Sequence, residues 1–343
     1  MMINVAVVGY GYWGPNLVRN FMEATTAQVD VVADLDTTRL AQVALRYPTI
    51  RTTTKFSDIL ANPAIHAVAI ATPVSTHFDL GMAALRAGKH IWLEKPMTET
   101  AAQAHRLADE AQRRNLVLFV DHTFVYTSAV RKIGELIKRS ELGSIYYYDS
   151  TRINLGIFQT DVSVIADLAS HDFSILLHVL KEKPAAVSVC GASHFNGGQA
   201  NVAYVTLFYE SGTLAHLNVS WLSPIKVRQI FIGGSEKMIV YDDLQASEKV
   251  KVYDAGVDFR VDPERVHEMR IGYRSGDMWA PKLSMKEALQ LGSEHFCDCI
   301  RNGSEPETGG LLGARVVELI EGATESMRGK GKTVYLGRGA QAA

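Results

Sequence analysis

Three short stretches carry residue types and spacings suited to chemistry. The segment Gly9-Tyr10-Gly11-Tyr12-Trp13-Gly14 places glycines at its first, third and sixth positions. An apolar run, Asn4–Val8, leads into it, and Pro15 opens the helical pattern that follows. Gly9 is expected to permit a tight turn, Gly11 to bring backbone N–H groups against a pyrophosphate, and Gly14 to let helix and strand pack closely. The helix N-terminus adds partial positive charge toward that anion. Tyr10, Tyr12 and Trp13 belong to the same predicted cofactor segment. Twenty residues beyond Gly14, the run Val29–Ala33 ends in Asp34. A carboxylate there accepts hydrogen bonds from the adenosine ribose hydroxyls and repels a 2′-phosphate. Position 35 is Leu, so NAD is favoured, with NADP possible because Arg39 lies in the next helix. Asp36 reads as the N-cap of that helix.

The second stretch is Trp92-Leu93-Glu94-Lys95-Pro96, where a strand ends in a charged pair and proline forces a turn. At the carboxyl end of a parallel strand such a pair points into the crevice where these sheets bind ligands. The third is Asp167-Leu168-Ala169-Ser170-His171, with Asp and His four apart at the start of a helical pattern. That spacing aims both side chains at one face, while Ile175, Leu176, Val179 and Leu180 bury the helix. A lone histidine beside an apolar stripe is ordinarily a core or capping residue. The carboxylate one turn earlier, in a chain with a cofactor signature, points to catalysis instead.

The elements that must position these residues follow from periodicity. Apolar strands at Asn4–Val8, Val29–Ala33, Ala67–Ala71, His90–Leu93 and Leu116–Val120 alternate with helices at Pro15–Glu23, Thr38–Arg46, Thr76–Ala87 and Thr98–Arg114. This rhythm predicts a parallel sheet with helices on both faces. Beyond residue 121 it changes. A helix at Ser128–Arg139, a strand at Ser144–Arg152, an irregular segment and a helix at Ile165–Leu180 precede consecutive strands. These lie at Ala186–Ser193, Asn201–Tyr209, Thr213–Trp221, Val227–Ile232 and Met238–Tyr241, with helices at Ser284–Asn302 and Leu311–Met327 to end. Alternation in the strands around Gly212 predicts antiparallel pairing with one covered face. The expected organisation is an α/β dinucleotide-binding domain over 1–121 and an α+β substrate and oligomerisation domain over 122–343.

Composition narrows the function classes. Hydrophobic residues make up 47% and charged residues 21% of 343, and the formal net charge is −2. A basic footprint for nucleic acid or a membrane surface is therefore not expected. Met1-Met2-Ile3-Asn4 runs straight into a strand without the features of a signal peptide, and no apolar run approaches the ~20 residues of a membrane helix. A cytoplasmic location is expected. Three cysteines, an odd number, fit a reducing compartment. Cys297 and Cys299 point to different sides of one helix, and no metal site is expected.

The motifs Gly9–Gly14, Ala71-Thr72-Pro73-Val74-Ser75-Thr76-His77, Glu94-Lys95-Pro96 and Asp167-Leu168-Ala169-Ser170-His171-Asp172, in this order, resemble the glucose–fructose oxidoreductase/inositol dehydrogenase/MocA (Gfo/Idh/MocA) family over nearly the whole chain. The resemblance implies an N-terminal Rossmann domain and a C-terminal domain with a large open, mainly antiparallel sheet, often used for dimer or tetramer packing. It implies that Lys95, Asp167 and His171 line the active site. Thr72, Pro73 and His77 would then lie near the cofactor, and Glu94 near the nicotinamide end. The glycine usual four residues before the Asp is Ser163 here, a departure that touches the backbone path.

The residue types then suggest a mechanism. Oxidising a secondary alcohol needs a base for the hydroxyl proton as hydride leaves, and imidazole has a suitable pKa. His171 is one acceptor and Lys95 the other; Lys95 would also stabilise developing alkoxide, and Asp167 would orient substrate or His171. Arg152 and Asn154, with Lys226 and Arg228, place polar and cationic groups on strands of the second domain. They are either solvated or turned toward a phosphorylated or nucleotide-linked sugar. The chain looks most like family members of amino-sugar and nucleotide-sugar pathways, including those oxidising C3 of UDP-N-acetylglucosamine-like sugars. Two other readings stay open: an NADPH-dependent ketosugar reductase, and a catalytically silent dinucleotide-sensing regulator.

Overall fold

The computed structural model describes residues 2–156, 162–180, 182–195, 198–260 and 270–337. Residues 157–161, in the segment expected to be irregular, lie outside the described residues. Two compact units emerge, Met1–Thr127 with Lys286–Glu318, and Ser128–Met285 with Leu319–Ala343.

The first unit begins with β1 (Ile3–Val8), α1 (Gly14–Glu23), β2 (Ala27–Ala33), α2 (Thr37–Arg46), β3 (Arg51–Thr53), α3 (Phe56–Ala61), β4 (Ala67–Ile70), α4 (Val74–Arg86), β5 (His90–Leu93), α5 (Ala101–Arg113) and β6 (Leu118–Val120). The strands pair in parallel in the order β3-β2-β1-β4-β5-β6, which is the Rossmann arrangement. β1, β4 and β6 are almost wholly apolar because helices cover both faces of the sheet. Local sequence sets the helix starts. Asp36 caps α2 by accepting from Thr38 N at 2.8 Å, as its position predicts. Thr100 caps α5, so this helix begins three residues later than the pattern from Thr98 suggests. The short β3 and α3 escape periodicity because neither is long enough to show a repeat.

The second unit holds α6 (Ser128–Lys138), β7 (Ile145–Leu155), a π turn at Ile165–Ala169, α7 (Ser170–Val179), and β8 (Ala186–Ala192) through β9 (Val202–Phe208), β10 (Leu214–Ser220), β11 (Leu222–Gly234), β12 (Met238–Asp242), β13 (Val250–Arg260), β14 (Arg270–Trp279) and β15 (Val334–Tyr335). Its sheet runs β14-β13-β12-β11-β7-β10-β9-β8-β15 among the described residues. Every pairing is antiparallel except β10 with β7. β11 starts earlier than expected and absorbs Pro224 in a register shift between Leu222 and Val227, where no ladder donor is needed. β13 and β14 were not expected, because charged and apolar residues do not alternate cleanly along them.

The last two helices are α8 (Ala288–Asn302) and α9 (Gly310–Arg328), and the division between the units falls within α9. Residues 122–127 and 286–318 belong with the first unit rather than with the second domain. The reason is aromatic packing. Trp92 stacks on Phe119 at 3.9 Å, and Phe296 of α8 meets Trp92 edge-on at 5.7 Å and Phe119 at 5.7 Å. Cys297 and Cys299 are both buried, and burial pushes the Cys297 thiol up to about 12. No helix among the described residues is long and apolar enough to cross a membrane.

Candidate active site

The parallel ladder brings five chain segments out of the sheet at one level. Val8 is in register with Ala33 and Ile70, Ile70 with Leu93, and Leu93 with Val120. Gly9, Asp34, Ala71, Glu94 and Asp121 are therefore the next residues in a single row at the carboxyl edge. The row continues the ladder for one more step: Gly9 N donates to Ala33 O at 2.8 Å, Ala71 N to Val8 O at 2.8 Å, Glu94 N to Ile70 O at 3.0 Å and Asp121 N to Leu93 O at 2.7 Å.

At the glycine loop, Gly9 has φ +92°, and a Cβ there would lie 2.5 Å from Ala71 O. A Cβ on Gly14 would lie 2.3 Å from Gly9 O, so close helix–strand packing demands glycine at both. Gly11 differs, since its added Cβ would meet only Arg39 Nη1, at 3.6 Å. The protein leaves that side open, which fits a backbone approached by a pyrophosphate. Asp34 stands where the sequence placed it, with its side chain 7% exposed. Its Oδ2 accepts from Tyr10 N at 2.6 Å and its Oδ1 from Asp36 N at 2.8 Å. The carboxylate thus braces the loop and keeps part of its ~4 lone-pair sites for a ribose hydroxyl. Arg39 Nη1 lies 3.5 Å from Asp34 Oδ2.

Two of the expected cofactor residues are buried. The Tyr10 side chain is buried in the core of the unit, so only its backbone serves the loop, whereas Tyr12 and Trp13 are exposed. His77 is buried too, with Nε2 2.9 Å from Thr72 O and Nδ1 3.1 Å from Pro96 O. It lies between the loops after β4 and β5, and burial pushes its pKa down, so its single N–H donates to one of the two carbonyls. Thr72 Oγ1 pairs with Thr76 Oγ1 at 2.6 Å beside Pro73, at the start of α4. The Lys95–Pro96 peptide is cis. Lys95 is half-buried, next to the buried Glu94.

In the second unit, Asp167 lies inside the π turn, where Ser170 N–H bonds back to Ile165 O, five residues earlier. A helix regular throughout was expected. With the wider turn, positions four apart still fall on one face, and single π turns of this kind often accompany functional sites. Ser163 Oγ accepts from Ala166 N at 3.4 Å, so the serine at the family's glycine position starts this turn. Trp221 Nε1 donates to Asp167 Oδ2 at 3.1 Å. Sequence reasoning missed this partner because it comes from the end of β10, 54 residues away. His171 is half-buried on the first turn of α7.

Arg152 corrects an expectation. It is 3% exposed, and its Nε donates to Asp172 Oδ2 at 2.6 Å while Ser150 Oγ donates to Asp172 Oδ1 at 2.7 Å. It ties β7 to α7, and its charge is paired within the unit. Asn154 is half-buried on the same face of β7, and Arg228 reaches Asp243 at 3.3 Å.

The oxidoreductase family with an NAD-binding Rossmann fold, Gfo/Idh/MocA, matches residues 3–122, and the Gfo/Idh/MocA C-terminal domain matches residues 130–240. The chain belongs to the Gfo/Idh/MocA oxidoreductase family. It is 29% identical to UDP-N-acetylglucosamine 3-dehydrogenase of Acidithiobacillus ferrooxidans, over 86% of this chain and 91% of that protein. It is 24% identical to scyllo-inositol 2-dehydrogenase (NAD(+)) of Bacillus subtilis, over 95% and 94%. The solved structure of the A. ferrooxidans enzyme shares its fold, with a TM-score of 0.80 at 24% identity over 96% of this chain and 99% of that one. The protein is thus a Gfo/Idh/MocA enzyme with an NAD-binding Rossmann domain. In this enzyme Arg152→Ala is expected to cost about 3–5 kcal/mol of unfolding free energy in urea, because it strands the buried Asp172 carboxylate. A variant of unchanged stability with a raised KM would instead make Arg152 a substrate residue.

Proposed function

We propose that the protein is an NAD-dependent dehydrogenase of a secondary alcohol on a sugar or nucleotide sugar, with C3 of a UDP-N-acetylglucosamine-like sugar as the first substrate to test. The observation that carries the cofactor reading is the glycine loop, open at Gly11 and braced from the end of β2 by Asp34. The substrate class is drawn from the relatives. When bound, NAD supplies the hydride acceptor. His171 takes the hydroxyl proton, and Lys95 stabilises negative charge developing on the substrate. Asp167, held by Trp221, orients the substrate hydroxyl or His171. Lys95 is the alternative proton acceptor, and a pH profile separates the two.

Arg39 favours a second reading, an NADP(H)-dependent ketosugar reductase. It is exposed beside Gly11 and Asp34, where a cation would meet a 2′-phosphate. NAD is expected to bind more tightly than NADP, and Asp34→Ala to narrow the gap while weakening both, because the loop loses its brace. Tighter NADP binding by the unmodified enzyme would favour the reductase.

The uncovered face of the second sheet supports self-association, as a homodimer or homotetramer in a cytoplasmic setting. Tyr147, Leu214 and Phe208 are exposed neighbours in register across β7, β10 and β9, an apolar patch of the kind that marks interfaces. Light scattering is expected to show an oligomer at micromolar concentration, and a Leu214→Glu variant a monomer.

His171→Ala and Lys95→Ala are each expected to lower kcat by ~10²-fold or more. The His171 variant is expected to lose the acidic limb of the rate profile, since protonated imidazole cannot accept a proton. Near-normal kcat with that limb intact would move the base to Lys95 or Asp167.

A further inference from the structure

The row at the edge of the parallel sheet sets two acids side by side that the mechanism above does not use as a pair. Glu94 follows Leu93 and Asp121 follows Val120, and those two residues are partners on adjacent strands. Glu94 is 6% exposed, Asp121 2% and the adjoining His122 0%. That register sets the two carboxyl groups next to each other, and each bears on the other's charge. Thr123 Oγ1 donates to Asp121 Oδ1 at 2.7 Å. Asp121 Oδ2 and Glu94 Oε1 receive no donor from any described residue.

Ionised carboxylates only accept, so two of them facing each other in a dry site leave both inner oxygens unsatisfied and repel. One proton between them removes both defects. We propose that Glu94 and Asp121 act as a single acid pair that holds one proton and so presents one negative charge, not two, to Lys95. Asp121 then becomes a positioning residue for the ammonium. The surroundings agree. Burial, then Asp121, holds the Glu94 carboxyl well above the usual range, and burial raises Asp121 as well. Lys95 is the cation bearing on the pair among the described residues of this unit. His122 stays neutral, pushed down to about 3 by burial and then by Lys95. The relevance to catalysis rests on the role given to Lys95 above, while the shared proton does not.

The test uses the full-length protein without cofactor. A folded state that holds a proton the unfolded chain has lost becomes less stable as pH rises above the unfolded carboxyl range near ~4, by about tenfold in the unfolding constant per pH unit for one proton. Asp121→Asn supplies an amide donor to Glu94 in place of that proton, and Glu94→Gln does the converse. From about pH 5 to about pH 7, the unfolding constant of the wild type relative to either variant should climb toward that slope. A flat ratio in both variants would overturn the pair. Infrared spectroscopy near neutral pH gives a second readout: a protonated-carboxyl stretch in the wild type that both variants lose, its absence from the wild type being equally fatal. The link to Lys95 is read by cyanate carbamylation mapped by mass spectrometry. Removing both acids in Glu94→Gln/Asp121→Asn should raise the Lys95 rate several-fold at fixed pH, and an unchanged rate would take Lys95 out of the proposal.

Discussion

The register of the parallel sheet is the constraint on which the first unit depends. Because Val8, Ala33, Ile70, Leu93 and Val120 end their strands at one level, the chain leaves the ladder five times along one edge. The exits carry a glycine at positive φ, a carboxylate under the loop, a small residue, and two buried acids. A slip of one residue in any pair would turn the exiting side chain to the opposite face of the sheet. The covalent motifs work only because hydrogen bonds elsewhere hold that alignment. His77 extends the same principle beyond the ladder by packing between the carbonyls of Thr72 and Pro96.

In the second unit, side-chain pairing has the corresponding role. The buried Arg152–Asp172 bridge, with Ser150, ties α7 to β7 one position from His171 and two from Asn154. A buried pair of this kind adds little net stability compared with apolar packing, but it fixes geometry strongly, since either charge alone is costly. The π turn then gives Asp167 a position that an unbroken α-helix would not, and Trp221 holds it there.

Much of this was legible in the residues. The glycine loop, Asp34 at the end of β2, the Asp36 cap and the charged pair after β5 all depend on local patterns, and each stands where the pattern put it. What the residues did not announce depended on distant partners. Nothing near Arg152 shows that Asp172 takes its guanidinium, and nothing near Tyr10 or His77 says that the first packs inward and the second lies between two loops. Asp121 was missed although the rule that found Glu94, an acid directly after a buried strand, applies to it equally. β13 and β14 lack alternation, and so gave no signal.

The packing of Phe296 against Trp92 has a consequence for the order of events during synthesis. The first unit is discontinuous in sequence, and its aromatic cluster includes a ring, Phe296, that leaves the ribosome 177 residues after Phe119. Until then the face of Trp92 and Phe119 that α8 covers has no native neighbour, and the intervening chain must emerge first. Contacts of such long sequence separation form late, because loop closure precedes any reward. The nascent N-terminal segment is therefore left with exposed aromatic surface for the period in which aggregation or chaperone capture competes with folding.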